Sequence, residues 1–186
     1  VNDQLARGRP FFADIARDGI ALYEAPGQRL AAPRQLYAEE RHAEAMAHYD
    51  KWLPDAAYCL TLAEYAIRDG KTNHAAFMLH QAVERAYHGL LLVLTLYSPK
   101  SPRLTVLRSL AENLDPRLIE AWPRDTRAAR RAFAQLQRAY VEARYSPAYE
   151  ITPDELAWII YRVKHLHAIA AAICAEHLAG NGKGTA

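Results

Sequence analysis

The chain of 186 residues is half hydrophobic and about a quarter charged, with a formal net charge of +2. That is enough apolar content to bury a core and too little net charge for indiscriminate grip on nucleic acid. The 23 basic residues divide into 18 arginines and 5 lysines, and arginine suits planar, bidentate contact with phosphate or carboxylate, although a GC-rich coding sequence gives the same bias. Cys59 and Cys174 sit in apolar helical surroundings without a C-x-x-C pattern, which argues for buried thiols over a disulfide or metal site. No run approaches the roughly 20 apolar residues of a membrane span and no signal peptide opens the chain, so a cytoplasmic protein without membrane contact is expected.

The chain opens on Val1 inside a helix lead-in, as expected of a segment cut from a longer protein. Phe11, Phe12 and Ile15 stand at helical spacing, Asp18-Gly19 stops that helix, and Ile20-Ala-Leu22-Tyr23 reads as a short strand. A lone helix–strand pair cannot bury its apolar face, so residues 1–24 are expected to lean on something upstream. Pro26, Gly27 and Pro33 mark residues 25–35 as a linker. From residue 36 the chain turns helical up to Asp69-Gly70, with a kink or fresh start expected at Pro54.

Thr72 or Asn73 is placed to cap the next helix, whose Phe77, Val83, Leu90, Leu91 and Leu94 run to about Tyr97. A Pro-rich loop over 98–102 leads to two short helices, 103–113 and 116–121. A long helix is expected over 125–144, broken by Ser146-Pro147. The last helix has the clearest start in the chain: Thr152 as N-cap, Pro153 at N1 and Glu155 at N3 complete a capping box. Its buried stripe is Leu156, Ile159, Ile160, Val163, Leu166 and Ile169, and residues 179–186 form a disordered tail. The expected fold is all-α, an up-and-down four-helix bundle with extra short helices over 36–178, preceded by a helix–strand remnant.

The run Ala75-Ala-Phe-Met-Leu-His80-Gln81-Ala-Val-Glu84-Arg-Ala-Tyr-His88 resembles the second long helix of HEPN domains. Tyr140-Val-Glu-Ala-Arg144-Tyr145-Ser-Pro147 resembles the arginine-tyrosine signature at the end of their third. Both motifs stand in order, and the resemblance spans roughly residues 40–175. Residues 11–23 are similar to the closing helix and strand of a polymerase-β-type nucleotidyltransferase, a domain that often precedes HEPN. Its Gly-Ser and D-x-D signatures do not occur here, so the resemblance puts nucleotidyl transfer and its Mg outside this chain and implies no cofactor within it.

His80, Gln81, Glu84 and His88 form a polar seam on an otherwise apolar helix. By the resemblance, His80 and Glu84 would help to hold a nucleotide; otherwise the seam is a satisfied polar network in which Glu84 bridges to Arg138 or Arg144. No second ligand set for a metal stands out. Arg144, Tyr145 and Tyr149 offer a phosphate fork beside aromatic faces, though an arginine at a helix C-terminus also has a capping role. Lys100 is placed to touch phosphate from the Pro-rich loop, where Pro102 stands at a position that family members often fill with histidine. Arg124, Arg127, Arg131 and Arg138 make a basic stripe that would either track an RNA backbone or be a solvated face paired with acids.

The ribonuclease branch of the family uses an arginine, four to six spacers and a histidine. Matches are Arg41 to His48, Arg68 to His74 and Arg162 to His167, about what an arginine-rich chain yields by chance, with Arg162 and His167 the best placed as catalytic candidates. Three functions therefore stay open. The first is a nucleotide- or RNA-binding, homodimeric HEPN domain supporting an upstream nucleotidyltransferase domain. The second is a HEPN ribonuclease toxin of a toxin–antitoxin pair, and the third a ligand-free dimerisation domain. Site residues expected for the first are His80, Glu84, Lys100, Arg138, Arg144 and Tyr145.

Overall fold

The computed structural model describes residues 1–6, 8, 10–23, 27 and 29–181. Among them the regular structure is helical throughout: α1 (Asn2–Ala6), α2 (Pro10–Asp18), α3 (Ala38–Arg68), α4 (Thr72–Thr95), α5 (Leu104–Leu114), a 3-10 turn (Pro116–Ala121), α6 (Arg127–Ala139), α7 (Glu142–Tyr145) and α8 (Pro153–Asn181). The all-α expectation holds, with α3, α4, α6 and α8 as the long rods of the bundle. The bounds of the short helices expected over 103–113 and 116–121 shift by at most one position.

α4 is the central rod. It packs against α3, α8, α5, α6 and α7, and Leu79, Val83, Tyr87 and Leu90 along it are fully buried. α3 and α4 meet closely because Gly89 has no side chain: a Cβ built there would lie 2.7 Å from Trp52 Cβ and 2.9 Å from Leu53 Cδ2. The tight turn between the two helices is closed by Gly70, at φ +68, with Gly70 N–H donating to Ile67 C=O and Lys71 N–H to Ala66 C=O. That pairing satisfies carbonyls the helix end would otherwise leave bare.

Several expectations are corrected. Residues 20–23 form no strand; Ile20, Leu22 and Tyr23 are 87%, 97% and 81% exposed, because a strand needs a ladder partner and none of the described residues offers one. Within the expected linker, Asn2 Nδ2 donates to Arg29 C=O, Ala31 N–H to Asn2 Oδ1 and Arg34 N–H to Leu5 C=O, so residues 29–34 bond to α1; Pro26 lies outside the described residues. Helix α3 runs unbroken through Pro54, since a proline removes one ladder bond and tertiary packing on both sides of it holds the helix. Lys71, not Thr72 or Asn73, is the N-cap of α4, without a side-chain cap bond.

The helix expected over 125–144 is two. After Ala139 the ladder slips, with Val141 N–H bonding to Arg138 C=O and Arg144 N–H to Val141 C=O, three residues back in each case. Helix α8 begins as expected: Glu155 N–H donates to Thr152 Oγ1 at 3.2 Å and Thr152 N–H to Glu155 Oε2 at 3.0 Å. It runs on to Asn181, into the expected tail, of which 182–186 lie outside the described residues. On length and composition alone α8 is apolar enough to cross a membrane, contrary to the reading that no such segment exists. Its Leu156, Ile159, Val163 and Leu166 face is instead buried in the bundle core.

Arg162 holds the 3-10 turn to α8. Its Nε donates to Ala121 C=O at 2.6 Å and its terminal nitrogen to Glu120 C=O, so a buried guanidinium supplies donors to carbonyls at the end of a short helix. Trp122, fully buried, packs on Phe133 and Trp158 just beyond. Replacing Arg162 by Met is expected to destabilise the fold by roughly 2–4 kcal/mol, because the buried Ala121 carbonyl and the half-buried Glu120 carbonyl lose their donor. Gly89→Ala is expected to cost roughly 1–3 kcal/mol by forcing α3 from α4. Urea unfolding measures both; a variant within experimental error of wild type would refute the packing assigned to that residue.

Candidate functional site

The polar seam on α4 is drawn inward and stitched to the loop that follows. His80 is 1% exposed. The Gln81 amide nitrogen donates to Glu84 Oε2 at 2.8 Å and approaches His80 Nδ1 at 3.4 Å, and the Pro102 carbonyl faces the ring and favours its protonated form. His88 Nδ1 lies 2.6 Å from Ser98 Oγ, and Trp52 packs on the His88 ring. Two imidazoles of α4 thereby fasten the 98–102 loop at both ends.

These groups are not an ion-pair ladder. Burial pushes His80 down to about 4, with Arg144 lowering it further and the Pro102 bond opposing; His88 is also lowered, by burial first. Glu84 is raised by burial, against the Gln81 hydrogen bond and Arg85. The 3.4 Å approach of His80 Nδ1 to Glu84 Oε2 is therefore a contact of a neutral ring with a carboxyl held partly against ionisation.

Arg144 stands at the outer edge of this seam. Because Arg144 N–H bonds to Val141, the Tyr140 carbonyl is released from the ladder and accepts from Arg144 Nε at 2.8 Å. The guanidinium lies 4.7 Å from the Phe77 ring, 4.9 Å from Tyr140 and 4.9 Å from Tyr145. Tyr140 in turn packs on His80 at 5.1 Å. The break between α6 and α7 thus sets an arginine in an aromatic cage above the buried histidine. Among the described residues no carboxylate pairs with Arg144, whereas Arg108, Arg117, Arg124, Arg131 and Arg138 each meet one.

Phe77 continues into a groove of about 340 Å³ on the α3–α4 surface, which also carries Asp55, Tyr58, Gln81 and Arg85. Arg85 donates to Gln81 Oε1 at 2.6 Å, and Tyr58 is 63% exposed. A groove of this volume with apolar and aromatic walls and a few fixed polar groups has the dimensions of a small-ligand site. Asp55 is the one acidic group on it and suits a hydroxyl or amino donor.

Of the residues singled out in the sequence, His80, Glu84, Arg144 and Tyr145 come together, and His80 lies beneath the surface as a support. Lys100 points elsewhere, into the groove that Phe11 and Tyr97 share, and Arg138 is held by Glu142 and Gln135 on the solvent side of α6. In the basic stripe, Arg124 pairs with Glu112 and Arg131 with Glu155, so the stripe is largely the acid-paired face. Tyr149, 3% exposed, donates its hydroxyl to Gln135 C=O and is structural. Arg162 and His167 do not meet: Arg162 holds the 3-10 turn, and His167 Nε2 lies 3.0 Å from Leu53 C=O on α3. Tyr58, Phe77 and Arg85 were missed as site residues; the sequence shows them only as aromatic and basic members of amphipathic helices. Among the described residues no cluster of three metal-ligating side chains occurs, and both cysteines are buried and free.

A histidine whose pKa falls from 6.5 to about 4 on folding is neutral in the folded chain where it is charged in the unfolded one. Its contribution is whole above about pH 6.5 and is lost as pH falls toward about 4, on the order of 3 kcal/mol over that window. His80→Gln is expected to unfold more easily at neutral pH yet lose less stability between those two values. Equal slopes for wild type and variant in urea titrations would count against a buried neutral His80.

No curated protein matches the chain. A family model described as the HEPN domain matches residues 49–173, which takes in the α4 seam, the 98–102 loop, the Arg144 cage and most of α8, and the chain therefore belongs to the HEPN domain family.

Proposed function

We propose that this HEPN domain binds a nucleotide on the outer α3–α4 surface, its base against Tyr58 and Phe77 and its phosphate on Arg144 with Arg85 beside it. One observation carries the reading: Arg144 is fixed by the Tyr140 carbonyl and three rings, has no carboxylate among the described residues, and adjoins a groove of ligand size. A stacked arginine with its terminal nitrogens open is poised for a phosphate at little cost in side-chain ordering. His80 and Glu84 act from below, setting Tyr140 and Gln81, not as direct ligands. Lys100 and Arg138 lie off this surface and leave the site.

Support of an upstream nucleotidyltransferase domain rests on the N-terminal resemblance alone, and that segment lacks the strand the resemblance called for. The ribonuclease alternative draws nothing from Arg162 and His167, whose ring and guanidinium nitrogens are engaged by backbone carbonyls on different elements.

ATP or GTP is expected to raise the melting temperature of the chain, with stabilisation of roughly 2–3 kcal/mol once ligand reaches about a hundredfold over Kd. Arg144→Gln is expected to weaken binding by about tenfold or more, and Arg144→Lys not to restore it, because an ammonium neither stacks across the rings nor offers a fork. Absence of any shift at millimolar nucleotide would overturn the proposal and favour a domain that serves only to dimerise.

A further inference from the structure

A second cavity, of about 400 Å³, opens between the start of α3, the end of α4 and the end of α8. Arg41 and His42 from α3 and His177 from α8 line one side; Val93 and Leu94 from α4 and Leu96 just beyond it line the other. It shares no lining residue with the groove at Phe77.

Three basic groups face one space here, and no acidic residue lines it among the described ones. His42 makes no hydrogen bond with the described residues, and its Nδ1 is shut from solvent without a partner. The neighbouring carboxylates Glu40 and Glu176 are committed elsewhere, Glu40 to Arg34 and the Tyr37 N–H, Glu176 to Arg117. The crowding registers at His177, which is lowered by burial first and then by Arg41 and His42. Like charges gathered in a recess are relieved by an anion, which favours the protonated imidazoles and gains charge-assisted hydrogen bonds. A metal cation is disfavoured by the guanidinium, and the described residues supply no three-ligand cluster. The apolar α4 wall gives a bare ion nothing to bury and gives a hydrocarbon or ring a dry surface.

We propose that this cavity binds an oxyanion headgroup, phosphate or carboxylate, carried on a compact apolar body, with Arg41, His42 and His177 on the headgroup and Val93, Leu94 and Leu96 on the body. Arg41 supplies the fixed charge.

The test uses the whole chain and three probes: inorganic phosphate, phenyl phosphate and octanoate, each followed by NMR at the histidine ring protons and by calorimetry. Phenyl phosphate or octanoate is expected to shift the His42 and His177 resonances at millimolar concentration and to bind about tenfold tighter than inorganic phosphate, the apolar wall supplying the difference. Arg41→Gln, at an exposed position, is expected to weaken binding by about tenfold, whereas Arg144→Gln leaves it unchanged, so this site stands or falls apart from the nucleotide groove. No movement of either histidine with any probe, or identical affinities for wild type and Arg41→Gln, would overturn the proposal.

Discussion

Everything around the site follows from burying three titratable side chains on the rod that the rest of the bundle surrounds. α4 is enclosed by α3, α8, α5, α6 and α7, so His80, Glu84 and His88 cannot turn to bulk water for all their hydrogen bonds. A polar group left unpaired in that setting would cost on the order of a few kcal/mol. The chain meets the requirement with Gln81 on the same helix and with Ser98 and the Pro102 carbonyl from the next loop. The loop's path is set by the histidines beneath it, and Tyr140, seated on His80, sets where α6 gives way to α7.

The arginines show how differently one residue type is used in one chain. Arg108 bridges Glu112 and the Trp122 carbonyl while lying over Phe133, and Arg162 secures two carbonyls of the 3-10 turn. Both are interior braces. Arg117, Arg124, Arg131 and Arg138 hold surface pairs, worth little individually because water and salt screen them. Arg144 and Arg41, by contrast, meet no carboxylate among the described residues, and each borders a recess. Composition alone could not sort these roles, since the distinction lies in which carbonyl or carboxylate the fold brings within reach.

The legible part of the fold was written in local signals. The Thr152-Pro153-Glu155 box, the Asp69-Gly70 stop and the apolar stripe of α8 each depend on residues a few positions apart, and all three stand where expected. What escaped depends on distant partners. The apolar pattern runs on past Ala139, and only the packing of Tyr140 on His80, sixty positions earlier in the chain, accompanies the slip there. Residues 20–23 are a short apolar run like a strand, but among the described residues they have no neighbour to pair with. For the candidate site, the seam and the Arg144-Tyr145 pair were readable as polar interruptions of apolar helices; Tyr58 and Phe77 were not, because an aromatic on an amphipathic helix looks the same whether it is buried or lines a groove.

The tight turn at Gly70 has a consequence for how this structure is reached. It joins α3 directly to the central rod α4, so bringing them side by side closes only a minimal loop, and the entropy of closure is correspondingly small. The groove walls from Asp55 to Arg85 belong wholly to that helical hairpin, whereas Arg144 arrives from a segment some sixty residues downstream. Low-contact-order topology of this kind favours rapid folding, and it separates the pocket's walls, formed by short-range encounter, from its charge, which is in place only when the tertiary assembly is complete.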